Sequence, residues 1–345
     1  MNALSILFAI LILGGMILIH ELGHYFFARI FDVHILEFAI GMGPKLLSHT
    51  SKKTGIVYSL RAFPIGGFVS MEGEDDEGES DRALNRKPVW QRIIITAAGA
   101  AMNLLLGFLL MLGMVLSSHG LGTTIVAEFK DPAASVVYQS GLRAEDEILT
   151  VDGVRVHTNV ELAYEIMHRA THPVDLTVLR EGKEILLPAV EFPTAEENGV
   201  TYGEIDFYVY GRAKTFGGIL SQTWYQSVSS IKMVWESLID LVTGKYGIES
   251  FSGPVGVTQA IGQAASISFS SLLYLCTLIT MNLGVFNLLP IPALDGGRLL
   301  FLLIELVRRK PVKPEVEGYI HTAGLLILLA FTVIITFKDI FTLFH

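Results

Sequence analysis

The sequence predicts a polytopic α-helical membrane protein: four transmembrane helices, a membrane-associated β-loop and a small α+β domain outside the bilayer. Three observations predict it. Of the 345 residues 51% are apolar and only 17% charged, too few charges for a soluble chain of this length. The apolar residues gather in blocks of roughly 20, the length an α-helix needs to cross about 30 Å of hydrocarbon. Between the second and third blocks lies a long stretch with the alternation and turn signals of a mixed domain.

The first block, Leu4 to about Ile30 within residues 1–32, has no basic n-region and no small-residue cleavage site, so it is expected to be a retained span rather than a secretory signal. Residues 33–90 form a loop in which Tyr58–Met71 is rich in β-formers around Pro64, Gly66 and Gly67. That composition predicts two short strands about a turn, either a hairpin against the membrane or a strand that pairs with an extended substrate. The acidic run Glu72–Asp81 reads as a solvated loop.

The second span is expected at 91–117 and a small domain at 123–198, with strands, a helix through 161–170 and a tight turn at Glu181-Gly182-Lys183. In the linker 199–267, Phe216–Val242 carries apolar residues at helical spacing with Trp224, Tyr225 and Trp235. Such a helix suits the membrane surface, or packing on the outer domain. The third span, 268–308, is interrupted by Pro290, Pro292, Gly296 and Gly297, and irregular backbone at membrane depth needs protein or a water-filled cavity around it. The fourth is expected within 319–345.

Basic residues set the orientation. Arg29, Lys45, Lys52, Lys53, Arg61, Arg82, Arg86, Lys87 and Arg92 lie between spans one and two, and Arg308, Arg309, Lys310 and Lys313 between three and four. Both loops are expected in the cytoplasm, with the termini and the mixed domain outside. A net charge of −9 leaves no basic stripe for nucleic acid. The single cysteine, Cys276, allows no internal disulfide, so the outer domain must fold on its own core.

The chemistry concentrates at His20-Glu21-Leu22-Gly23-His24. Residues i and i+4 of a helix share a face, so both imidazoles can reach one Zn2+ while the carboxylate between them accepts a proton from the attacking water. The bland alternative is three polar residues marking a helix end, but ionisable groups in a span are costly and usually functional. A catalytic zinc needs a third protein ligand. Asp295, the only acidic residue between Ser268 and Glu305, is the candidate, with an ion pair to Arg298 as the alternative. Asn287, upstream of the prolines, is a candidate for holding a ligand or a substrate carbonyl.

The HELGH sequence in a first span, with Asn287-Leu-Leu-Pro290-Ile-Pro292-Ala-Leu-Asp295-Gly296-Gly297 in a late one, resembles the site-2 protease family. The resemblance is specifically to its bacterial four-span branch with an extracytoplasmic PDZ domain, and it covers essentially the whole chain. The resemblance implies His20, His24 and Asp295 as zinc ligands and Glu21 as catalytic base. It also implies cleavage of single-span membrane proteins, such as anti-sigma factors or remnant signal peptides, in a bacterial plasma membrane. Gly99-Ala-Ala-Met-Asn103 is similar to the family's GxxxN element, which marks Asn103 for supporting the metal site or substrate, or for a plain interhelical hydrogen bond. Ser140–Gly153 is similar to the PDZ pattern GLxxGDxIxxxxG, with Glu145 where glycine is usual. Tyr58–Met71, with Gly66 and Gly67, resembles the family's substrate-holding β-loop, and Phe251–Val257 its SGPVG stretch. The partners implied are such substrates and membrane lipid. A metal transporter and an inactive PDZ scaffold remain the rival classes.

Overall fold

The computed structural model describes residues 3–74, 78–197, 200–244 and 252–344. The chain divides into two compact units, residues 1–110 with 251–345, and residues 111–250. Residues 75–77 of the acidic run, and Phe251, lie outside the described residues.

In the first unit, helix α1 (Ala3–Ile30) leads into strands β1 (Ile35–Thr50) and β2 (Val57–Met71), and helix α2 (Val89–Ser117) follows. The expected hairpin within Tyr58–Met71 is replaced by one long bent strand whose partner is β1. Residues 37–40 lie between two stretches of β2: Ile40 is opposite Gly67 on one side and Leu60 on the other. Residues 47–50 then flank 57–60 from outside, with Thr50 opposite Val57. The bends fall at Gly41 and Gly43, both in the left-handed region at φ 85° and 84°, a conformation that other residues adopt only with strain. One sheet face buries Val33, Ile35, Phe38, Ile56, Val69 and Met71 against α1. The rest of the sheet leaves Met42, Leu46, Leu47 and Phe63 more than half exposed, an apolar surface suited to lipid or to another chain. Glu37 holds the bend: burial opposes ionisation, but hydrogen bonds from Ser59, Lys45 and Arg61 bring its carboxyl down to about 2.

The second unit carries β3 (Leu121–Phe129), a single turn α3 (Val136–Gln139), β4 (Glu147–Val151), β5 (Val154–Arg155), α4 (Asn159–Arg169), β6 (Val174–Arg180) and β7 (Lys183–Val190). There follow β8 (Thr194–Glu197), β9 (Val200–Gly203), β10 (Phe207–Arg212) and helix α5 (Phe216–Thr243). The main sheet runs β10-β3-β4-β6-β7 with β5 on β4, so the domain extends past the expected limit of 198 to Arg212. The reason is β10, which pairs antiparallel with β3, Phe207 opposite Phe129 and Arg212 opposite Leu121.

The domain core is continuous: Val126, Ile148, Leu162, Ile166, Leu176 and Val178 are all at 1% exposure or less. Helix α4 starts with a capping box between Thr158 and Glu161, worth about 1 kcal/mol. The β6–β7 turn places Glu181 and Gly182 at φ 49° and 77°, the type I′ geometry that matches strand twist. At Glu145 the backbone takes φ 70°, so the turn keeps its left-handed shape without the glycine, at a cost of about 1–2 kcal/mol. Its N–H still donates to Val126 O at 2.8 Å.

Helix α5 turns its polar side to α4: His168 Nε2 meets Asp240 at 2.7 Å and Arg169 Nη2 meets Glu236 at 3.0 Å. Its other side exposes Phe216, Leu220, Trp224, Trp235 and Ile239.

The chain returns to the first unit with α6 (Pro254–Ile267), α7 (Phe269–Leu288), α8 (Asp295–Arg308) and α9 (Pro314–Phe344). The broken third span is therefore two helices, α7 and α8, joined by 289–294. Among the described residues four helices are long and apolar enough to cross a membrane: Ile6–Ile30, Val89–Ser117, Phe269–Leu288 and Pro314–Thr342. Two polar ties order this unit. Arg92 forks onto both carboxylate oxygens of Glu305, joining the start of α2 to the end of α8. Asp339 Oδ2, on α9, accepts from the N–H groups of Gly253 and Gly256 at 2.9 and 2.8 Å, closing the N-terminus of α6 from outside that helix.

Candidate metal centre

His20 and His24 sit one turn apart on α1, with their Nε2 atoms 3.2 Å from each other. Asp295 is the first residue of α8, and its Oδ2 lies 3.1 Å from His20 Nε2 and 3.3 Å from His24 Nε2. The carboxylate reaches them because the chain folds back after α7. Pro290 and Pro292 cannot donate to a helix, and Ala293, at φ 76°, gives its N–H to His321 Nδ1 at 2.9 Å. The return is tight: a Cβ on Gly296 would stand 1.9 Å from Leu289 O, so only glycine fits. Arg298 pairs with Glu74 instead of Asp295, which removes the ion-pair alternative.

A near-equilateral triangle of such atoms matches the edge of a tetrahedron around an ion held at about 2.0–2.1 Å, roughly 3.3 Å. The histidine tautomers fit as well. His24 Nδ1 donates to Ile95 O at 2.9 Å, which leaves the Nε2 lone pair directed at the triangle. His20 Nδ1 lies 3.2 Å from the amide of Asn103, a fully buried residue whose Oδ1 has no other partner. With that amide turned so that Oδ1 accepts from Nδ1–H, both groups are satisfied and His20 Nε2 also points its lone pair inward. Asp295 Oδ2 is itself buried without a hydrogen-bond donor. Three converging lone pairs and no proton between them are what a cation resolves, and these three residues could hold one.

Helix α2 supplies the floor. A Cβ on Gly99 would lie 2.3 Å from His24 Nε2 and 2.7 Å from His20 Nε2, and one on Gly23 would lie 2.3 Å from Ala98 O. Small residues on both helices thus let them cross in contact directly beside the two rings. Glu21 borders the β-sheet: a Cβ on Gly67 would be 3.5 Å from Glu21 Cγ. Gly66 neighbours Met42 instead, and Asn287 gives its Nδ2–H to Leu283 O one turn back at 3.0 Å. Neither contact reaches the triangle. Ile95 O and Thr280, whose hydroxyl donates to Asn103 O at 3.2 Å, are contributions that sequence reasoning missed. One is a backbone group and the other a partner 177 residues away, so neither leaves a local signal.

Residues 8–331 match the sequence model of peptidase family M50. A putative zinc metalloprotease of Clostridium perfringens is 35% identical over 336 residues, covering 97% of this chain and 98% of that one. One from Fusobacterium nucleatum is 34% identical over 352 residues, covering 99% and 100%. The regulator of sigma-W protease RasP of Bacillus subtilis is 29% identical over 421 residues, covering 97% and 98%.

Proposed function

Since the chain belongs to peptidase family M50, the site-2 proteases, and is a zinc-dependent intramembrane endopeptidase, we propose that His20, His24 and Asp295 hold the zinc and that Glu21 is the general base. The observation that carries this reading is the triangle of lone-pair atoms 3.1–3.3 Å apart. A zinc ion held by these three residues would supply Lewis-acid polarisation of the scissile carbonyl and would acidify the attacking water towards a pKa of about 7. Glu21 takes that water's proton and delivers it to the departing amine. A substrate helix must unwind first, because its carbonyls are engaged in their own hydrogen bonds. The stretch Gly67–Met71 pairs only with β1 among the described residues, so its other edge is available for strand addition beside Glu21.

The test is a purified preparation in detergent with a single-span model substrate. Removing zinc with a chelator should abolish cleavage, and about one equivalent of zinc per chain should restore it. Cleavage that survives complete zinc removal would sink the assignment. Asn103 orients His20, so Asn103→Ala should weaken zinc retention against a competing chelator by about 10–100-fold. Asn103→Asp, which still offers an acceptor to Nδ1–H, should retain zinc far better; equal losses in both variants would count against the role.

The finer reading concerns placement and substrate. The two loops rich in lysine and arginine face the cytoplasm, and the termini and the 121–212 domain lie outside a bacterial plasma membrane. That domain is a PDZ-type filter; the Ser140–Gly153 pattern and the α4-backed sheet support it. Substrates are single-span proteins, with anti-sigma factors favoured by the likeness to a regulator of sigma-W. The exposed apolar side of α5, with Trp224 and Trp235, suits contact with membrane lipid.

A further inference from the structure

The end of α1 meets the β1–β2 turn and the segment before α2 around a cavity of about 250 Å3, separate from the metal centre. Each of the three segments contributes a cation to its wall: Arg29, Lys53 and Arg82. The anionic wall residue, Asp32, is engaged by Arg82 at 2.7 Å, and His34 is held by Glu72 at 2.6 Å. Among the described residues, Arg29 and Lys53 make no hydrogen bond or ion pair.

Arg29 is not needed to close its helix. Asp32 takes the left-handed conformation at φ 52°, and the N–H groups of Phe31, Asp32 and Val33 bond back to Phe27, Arg29 and Ala28 carbonyls. Lys53 likewise stands free of its turn, which is closed by Gly55 N–H to Ser51 O and Ser51 N–H to Ile56 O. The cavity sits where the first span ends at Ile30, at a membrane–water border. A compact anion with several acceptor oxygens is the ligand that guanidinium and ammonium groups converging there would take.

We propose that this cavity binds a phosphate group, supplied by the headgroup of an anionic phospholipid in the leaflet where α1 ends. The proposal depends on α1 crossing the bilayer, and its readout is binding, independent of hydrolysis. Basic pockets at this depth take lipid headgroups through the same chemistry.

The experiment is native mass spectrometry on the delipidated full chain, titrated separately with phosphatidylglycerol, phosphatidylcholine and inorganic phosphate. The comparison is wild type, Arg29→Gln/Lys53→Gln, and Lys52→Gln/Arg86→Gln, a control that removes two exposed cations outside the cavity wall. Wild type should bind a first phosphatidylglycerol tightly, the cavity variant about 30-fold more weakly, and the control like wild type. If inorganic phosphate instead shows the Arg29- and Lys53-dependent binding and the lipid does not, the site takes free phosphate. Equal weakening in the cavity and control variants, or none in either, would overturn the proposal. Unchanged zinc content in the cavity variant checks that it is folded.

Discussion

Glu21→Gln should lower cleavage of a single-span substrate by about 10²- to 10⁴-fold while leaving zinc content at the wild-type level. The amide keeps the shape of the carboxylate and cannot take a proton from the attacking water. Zinc should stay because Glu21 is outside the trio of His20, His24 and Asp295. Parallel measurement of cleavage rate and zinc per chain separates the roles: loss of both together would make Glu21 a structural or metal-holding residue. The same variant distinguishes hydrolysis from metal transport, which has no use for a base at this position.

Gly99→Ala should cost about as much through a different route. The added Cβ would lie 2.3 Å from His24 Nε2, where ordinary contact begins at 3.4 Å, so the ring must move by about 1 Å. A displacement of that size in a catalytic constellation costs about 10²-fold. Because the histidine is also a ligand, zinc affinity should fall with the rate, unlike in Glu21→Gln. Gly113→Ala, in the same helix with nothing within 4 Å of its Cβ, controls for the change in helix character and should be near neutral. Wild-type zinc binding and activity in Gly99→Ala would mean that α2 can yield at this crossing.

What the sequence makes legible follows the range of the physics. The His20, Glu21 and His24 cluster is a local pattern, fixed by the helical period, and it stands out because its neighbours are apolar. Asp295 is visible for the same contrast, as a lone carboxylate in a greasy segment broken by proline and glycine. Beyond Asn103, which stands out only through the family resemblance of Gly99–Asn103, the hydrogen-bonded support of the centre is not visible. The partner of His24 is a backbone carbonyl that any residue could supply at position 95, and the need for Gly99 appears only once α1 and α2 cross.

Strand β1 escapes for a related reason. Gly41, Gly43, Pro44 and Lys45 interrupt its β-forming pattern, and the pairing that overrides them runs through β2, up to 36 residues away in Ile35 opposite Met71. Strand β10 is hidden because it is six residues long, and its partner β3 precedes it by almost the whole domain.

The clasp between Asp339 and the start of α6 also bears on the order of biogenesis. The N–H groups of Gly253 and Gly256 emerge from the ribosome 86 and 83 residues before the carboxylate that accepts from them. Until α9 is threaded, α6 begins with open donors, and a Cβ at Gly253 would collide with Ile335 and Asp339 when that span arrives. A chain released before residue 339 would carry all three metal-triangle residues, His20, His24 and Asp295, yet leave α6 unfastened. Helix α9 is therefore a closing piece for α6, and it is made only after all three residues of the metal triangle.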